Sequence, residues 1–409
     1  MMNLLRQTTI FLLVLLLAST PAFAKGSCDT QPSPAIALAL SRASKLQKEE
    51  KPKEALKVLN RAAKRAGKFS HHLLEFYLGI ALVQQSDSKA AYPHFRKATT
   101  LCDSFGPAWQ NLGRTAYELK KYPEAADALH TAFVLTEEKR SSLLYFEALA
   151  RYKTKAWDKV TDITFELFRK FSNESKKRKM EWADLAVSAG TSAGRQKELI
   201  KLFETLVPEL GGEFRFRRSF ASLLLQEKAY DGAMVQLKAL DHLNAITTKE
   251  LMILGDIFRL KNLPLDAATC YRRVGEINPK EKTGQLVRKE AEARMAGFMA
   301  DDAKKLLERE APIFKTPRLW MLLGQLRFEA KEYPKAEKAF RTFLKTNPED
   351  GHGLMMLGYT LFQQEKHRSA LIWLEKAVAT NTGSSAKPLR DHVKKLLDQA
   401  AEIATTPKA

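Results

Sequence analysis

The sequence predicts an all-α protein, an α-solenoid of about ten helix hairpins closed by a C-terminal capping helix. Three observations predict it. A Leu-Gly pair with an Ala twelve residues after the Gly recurs at Leu78-Gly79, Leu112-Gly113, Leu254-Gly255, Leu323-Gly324 and Leu357-Gly358, on a period of 33 to 36 residues. In each copy two amphipathic stretches flank a short turn, as at Lys120-Lys121-Tyr122-Pro123, where proline suits the first turn of a second helix because its missing N–H has no intrahelical partner. At 409 residues the chain exceeds one ordinary core, while 45% hydrophobic and 9% aromatic content suffices for folding throughout.

The elements follow in order. Residues 1–24 read as a cleavable signal peptide: Arg6 charges the n-region, Ile10 to Ala18 is a nine-residue apolar run, and Ala22-Phe23-Ala24 is a small-x-small cleavage site. A retained anchor is the alternative, but a spanning helix needs about 20 apolar residues. Cys28 lies too far behind the apolar run for a lipoprotein signal. Residues 25–35 form a flexible lead, and the repeat array runs over 36–386, in units near 36–71, 72–105, 106–140, 141–178, 179–213, 214–247, 248–283, 284–316, 317–350 and 351–386. The units at 72, 106, 248, 317 and 351 are clear, while those at 36 and 214 keep Ala55 and Leu59, or Ala233 and Leu237. Those at 141, 179 and 284 lose the Leu-Gly pair and rest on spacing alone. Residues 387–403 form the capping helix, with Leu389, Val393, Leu396, Leu397, Ala400 and Ile403 on one face, and 404–409 are a tail.

Chemistry is scarce. There is no phosphate-cradling Gly-rich loop, HExxH or GxSxG elbow. Ser86-Asp87-Ser88-Lys89 has the SxxK spacing but falls in a repeat turn, and the histidines, His71, His72 and His94 included, read as surface or capping residues. Trp109 and Trp320, at the fourth repeat position, and Trp157, Trp182 and Trp373 read as packing. No catalytic residue, metal or cofactor is expected. The three cysteines rule out a disulfide framework. In an oxidising compartment one bridge is available, and Cys28 with Cys102 is the better pair because the flexible lead can fold back; isolated thiols, with Cys270 packed in a helix, are the other reading.

The net charge of +20 becomes +19 once the signal, with its single Arg, is removed. Such basicity favours anionic partners. For an exported chain these are headgroups, anionic polysaccharide or acidic protein faces, and nucleic acid is not expected. Residues 42–68 hold ten Lys or Arg against three Glu, and Lys176-Lys177-Arg178-Lys179 form a second basic run. These read as solvated outer faces or as contacts to an anionic envelope surface.

The shared offsets over residues 36–386 resemble the tetratricopeptide repeat family. The resemblance implies a right-handed superhelix whose first helices line a concave groove at the second, fifth, ninth, twelfth and thirteenth positions. Carried over, these include Phe76, Ile80 and Val83; Gln110, Arg114 and Tyr117; Arg215, Arg218 and Ser222; Met252, Asp256 and Arg259; Met321, Gln325 and Phe328; and Met355, Tyr359 and Phe362. Such a groove suits an extended or helical partner with acidic and apolar side chains. The Lys and Asn of the family's carboxylate clamp are absent, since the matching positions hold Gln110 and Arg114, or Phe76 and Ile80. The implied function is a non-enzymatic periplasmic scaffold binding proteins of the cell envelope. The pair RLWMLLGQLRFEAKEYPKAEKAF and GHGLMMLGYTLFQQEKHRSALIWLEKA is similar to the members accompanying TonB, ExbB and ExbD energy-transduction systems. The alternative is an accessory of polysaccharide secretion or outer-membrane assembly with a basic groove.

Overall fold

The computed structural model describes residues 28, 30–137, 139–380 and 384–405. The signal segment 1–24, residues 25–27 and 29 of the lead and residues 406–409 lie outside the described residues. The described residues hold 21 α-helices and no strand. They fall into two compact units, divided between Gly211 and Gly212.

The first unit has five hairpins: α1 (Pro34–Lys48) with α2 (Pro52–Ala66), α3 (His72–Gln84) with α4 (Ser88–Leu101), α5 (Gly106–Glu118) with α6 (Tyr122–Leu135), α7 (Ser141–Lys153) with α8 (Trp157–Lys170), and α9 (Lys176–Ser192) with α10 (Gln196–Leu210). The second has five more: α11 (Phe214–Gln226) with α12 (Tyr230–His242), α13 (Thr248–Leu260) with α14 (Pro264–Ile277), α15 (Gly284–Ala296) with α16 (Ala300–Phe314), α17 (Pro317–Glu329) with α18 (Tyr333–Leu344), and α19 (Gly351–Phe362) with α20 (His367–Val378). A last helix, α21 (Lys387–Thr405), follows. Within each unit every helix packs on the next in chain order, as a solenoid requires.

The turn inside each hairpin is closed the same way. Glu50, Ser86, Lys120, Lys155, Gly194, Lys228, Asn262, Phe298, Lys331 and Glu365 all take a left-handed conformation, φ 56° to 74°. The next N–H then reaches the carbonyl five residues back, as Lys121 to Ala116 at 2.8 Å and Met299 to Arg294 at 2.9 Å, which satisfies a carbonyl that the helix end leaves open. Ser86-Asp87 is such a turn, with the Asp87 carboxylate accepting the Ala90 N–H at 2.9 Å at the start of α4, so the SxxK spacing is turn and cap chemistry.

Close approach of the two helices explains the glycine of the Leu-Gly pair. A Cβ on Gly79, Gly113, Gly255, Gly324 or Gly358 would stand 2.6 to 2.7 Å from a large side chain sixteen residues on, Phe95, Leu129, Tyr271, Phe340 or Leu374. The units lacking the pair solve the problem differently. Ala148 and Ala291 stand at the glycine position, both fully buried, and in the 179–213 unit it is Gly190 that makes room for Leu199.

Each unit contains its own apolar core. Phe95, Leu112 and Ala125 contribute in the first, and Leu323, Phe340 and Leu374 in the second. α21 buries Val393 fully and packs Leu389 and Leu397 on the final hairpin, but Ala400 is exposed, so its packing face ends a turn earlier than the sequence predicts. The Ile403 side chain lies outside the described residues. No helix among the described residues is long and apolar enough to cross a membrane.

Cys28 is bonded to Cys102 at the end of α4, with 5.4 Å between the Cα atoms and 74 residues between them in sequence. Cys270 is a buried free thiol whose pKa burial pushes up to about 11.

Candidate functional site

The residues assigned to the inner face lie on the first helices, as the spacing predicts, but they divide into three kinds. Some are packing. Phe76 stacks edge-on against Phe105 at 5.1 Å and tilts against Phe95 at 6.0 Å, with Ile80 and Val83 beside the same core. Met321 is fully buried under the last hairpins, which corrects its assignment to an open groove. Phe362 is covered too: the ring of His392 from α21 stands 5.9 Å from it and His367 5.4 Å.

Others tie neighbouring hairpins together. Arg218 on α11 grips Glu250 on α13 with two hydrogen bonds of 2.5 and 3.2 Å and donates a third to the Ala245 carbonyl at 2.8 Å. Glu250 also completes a capping box with Thr247. Burial opposes its ionisation, yet Arg218 and Thr247 outweigh burial and hold the carboxyl below its usual range. Asp256 accepts from Tyr271 Oη at 2.7 Å and from Lys289 Nζ at 2.7 Å. These two residues are therefore committed to the array and do not offer free charges, because Glu250 and Lys289, their ionic partners, sit on the next hairpin.

The rest stay available. Gln110 is half-buried, and Arg114 is partly exposed near Glu118 at 3.6 Å. Tyr117 packs on Tyr122 at 5.4 Å, and burial raises its phenol pKa. In the second unit Ser222 and Arg259 are exposed and Met252 is half-buried, while Arg215, although exposed, has a partner of its own. Gln325 meets His352 at 3.2 Å. Most continuous is the stretch where α17 and α19 run side by side: Phe328 meets Tyr359 edge-on at 6.3 Å and Tyr333 at 5.5 Å, with Met355 half-buried nearby. Tyr359 keeps 37% of its surface exposed. The arrangement can hold apolar side chains and offers one phenol for a hydrogen bond.

Trp182 is 1% exposed, and Trp109 and Trp320 each pack between two core clusters. Trp109 additionally donates to the Asp103 carbonyl at 2.6 Å and borders an open cleft of about 470 Å³ with Arg96 and Glu124. His71 caps α3 by accepting the Leu73 N–H at 3.2 Å, and His94 binds Glu75 at 2.8 Å. Among the described residues no cluster of three potential ligands could hold a metal.

Sequence reasoning missed the buried acids. Glu75, 2% exposed, takes hydrogen bonds from His94 and Ser70 and an ion pair from Lys97 at 2.6 Å. Burial opposes its ionisation, but these partners prevail and bring its pKa down to about 2. The only signal in the sequence was an acid on the otherwise apolar start of α3.

With this geometry the protein is defined as a repeat of helix hairpins with a partly open aromatic face. Residues 315–385, the ninth and tenth hairpins, match the family model described as tetratricopeptide repeat. No curated protein matches the chain significantly. Among solved structures, a tetratricopeptide repeat protein from Parabacteroides merdae is 12% identical, covering 64% of this chain and 99% of its own, with a TM-score of 0.36. Yeast Tom70 is 12% identical over 91% of this chain and 99% of its own, TM-score 0.35. MamA from Desulfovibrio magneticus is 16% identical over 44% and 97%, TM-score 0.35.

Proposed function

We propose that this protein is a non-enzymatic scaffold that binds segments of other proteins on the first-helix face of its hairpins. The observation that carries the reading is the half-open aromatic surface of Phe328, Tyr359 and Met355, which lies inside the segment matching the tetratricopeptide model. A partner helix or extended strand with spaced apolar anchors fits such a surface. The leader-like N-terminus supports export, and the Cys28–Cys102 bridge supports an oxidising compartment, the periplasm. Within it, a role beside TonB, ExbB and ExbD is the reading we favour. The alternative, a basic groove for secreted polysaccharide, has less support because Arg218 is committed to Glu250.

A photo-crosslinking amino acid at Tyr359 in living cells tests both. Recovery of TonB or ExbD is the expected result, and recovery of polysaccharide-export components alone would exclude the TonB reading. Tyr359→Ala should weaken partner binding about tenfold, a loss near 1.4 kcal/mol, at unchanged melting temperature. Unaltered affinity would remove the aromatic face from the interaction.

A further inference from the structure

We propose that the outer face of α2 is a docking surface for an anionic phospholipid membrane, a role separate from the inner-face binding above. α2 buries only Ala55 and Leu59 fully, with Leu56, Ala62, Ala63 and Ala66 packed beside them. On the side away from that contact, Lys53, Lys57, Arg61 and Lys64 are all exposed and, at ~100° per residue, fall within an arc of about 80°. Lys68, also exposed, follows beyond the helix end in the short 3-10 turn Gly67–Phe69. On the helix itself the stripe runs about 17 Å, from Lys53 to Lys64.

What marks this stripe is that five cations without a carboxylate partner stand in one row, where elsewhere such cations are scattered. Several arginines and lysines elsewhere are drawn into pairs that hold hairpins together, such as Arg218 with Glu250, Arg273 with Asp241 and Lys282 with Glu310. None of the five stripe residues has a carboxylate within ion-pairing distance among the described residues. A row of uncompensated cations left in water attracts a surface of opposite sign.

The chemistry of the row selects lipid. Four of its five members are lysines, compact hydrated charges suited to a diffuse field of headgroups, where bidentate recognition would call for arginine. No aromatic ring is interleaved to stack on a nucleic-acid base. Instead one ring stands at the end of the row: Phe69, 89% exposed, with no polar atom to satisfy in water. Basic residues flanking an exposed phenylalanine match the division of labour at a membrane interface, where charges hold the headgroups and the ring enters the acyl boundary.

The test is flotation of the full-length protein with vesicles of phosphatidylcholine containing about one-third phosphatidylglycerol, against vesicles of phosphatidylcholine alone. Binding to the anionic vesicles only, weakened at least tenfold between about 50 and about 300 mM salt, is expected. The variant Lys57→Ser/Arg61→Ser/Lys64→Ser should lose about 100-fold in affinity, at about fivefold per charge, with unchanged circular dichroism because these side chains are exposed. The charge-matched variant Lys331→Ser/Lys338→Ser/Lys345→Ser, exposed residues of the second unit, should bind as the parent does. Phe69→Ser should lower affinity severalfold. Equal loss in the two triple variants would overturn the proposal in favour of overall charge. Undiminished binding of Phe69→Ser, or tighter stripe-dependent binding to a short DNA duplex than to the vesicles, would overturn it in favour of a polyelectrolyte.

Discussion

At Phe298 a bulky, 97% exposed side chain occupies a left-handed turn position, φ 61°, that glycine adopts freely. Phe298→Gly is therefore expected to stabilise the second unit by about 1 kcal/mol, seen as a higher urea midpoint at unchanged slope. Gly324→Ala should act oppositely, because the new Cβ would stand 2.6 Å from the Phe340 ring, and a loss of about 1 to 3 kcal/mol is expected in the same measurement. Acid should act first on α3. His72 is buried against Phe105, and burial, then the neighbouring His71, lowers its pKa to about 4. A group held neutral in the fold stabilises above its unfolded value near 6.5, and that contribution is lost as pH falls from there towards 4. Glu75 follows lower down: its folded pKa of about 2 lies below 4.5, so its contribution, about 3 kcal/mol, is present above pH 4.5 and lost as pH falls towards 2. Circular dichroism against pH should show His72→Leu removing the upper stage and Glu75→Gln the lower. At this scale the sequence located side chains on faces but not their partners. Arg218 and Asp256 were legible as first-helix residues, whereas Glu250 and Lys289 become their neighbours only when one hairpin stacks on the next.

Elements are held to one another by couplings about one repeat apart. Arg218 to Glu250, Arg273 to Asp241 and Lys289 to Asp256 span 32 or 33 residues, so opposite charges at that separation are the sequence signal for them. Inside the fifth hairpin, Lys179 of α9 is buried, donating to Glu209 of α10 at 2.6 Å and to the Ser172 carbonyl. The pair is asymmetric because Glu209 keeps 37% exposure. Glu209→Leu strands a buried ammonium and should cost about 3 kcal/mol, while Lys179→Met, which leaves a carboxylate able to reach water, should cost well under half of that in thermal or urea unfolding. Hairpin boundaries were readable wherever Leu-Gly marks the first helix. They were faint at 141–178, 179–213 and 284–316 because Ala148, Gly190 and Ala291 meet the same need for close approach with other residues or from another position.

For the molecule as a whole, its division into two compact units with separate cores predicts that residues 212–409 fold alone. The expected outcome is a helical spectrum and a single cooperative melt for that fragment; a non-cooperative melt would mean that its core needs the first unit. Length, period and composition made this repetitive architecture legible, since each hairpin repeats one packing problem. The basic stripe of α2 was legible as composition, but its lack of counter-charges was not, because pairing is decided by neighbours in space. The bond from Cys28 to the end of α4 closes 74 residues, and its removal by Cys28→Ser should cost up to about 4 kcal/mol of chain entropy. It also sets a load path. A pull applied to the chain ahead of Cys28 enters the array at the α4–α5 corner and leaves α1, α2, α3 and α4 slack, so the four helices nearest that end are shielded from tension and the basic stripe stays folded while the molecule is held taut.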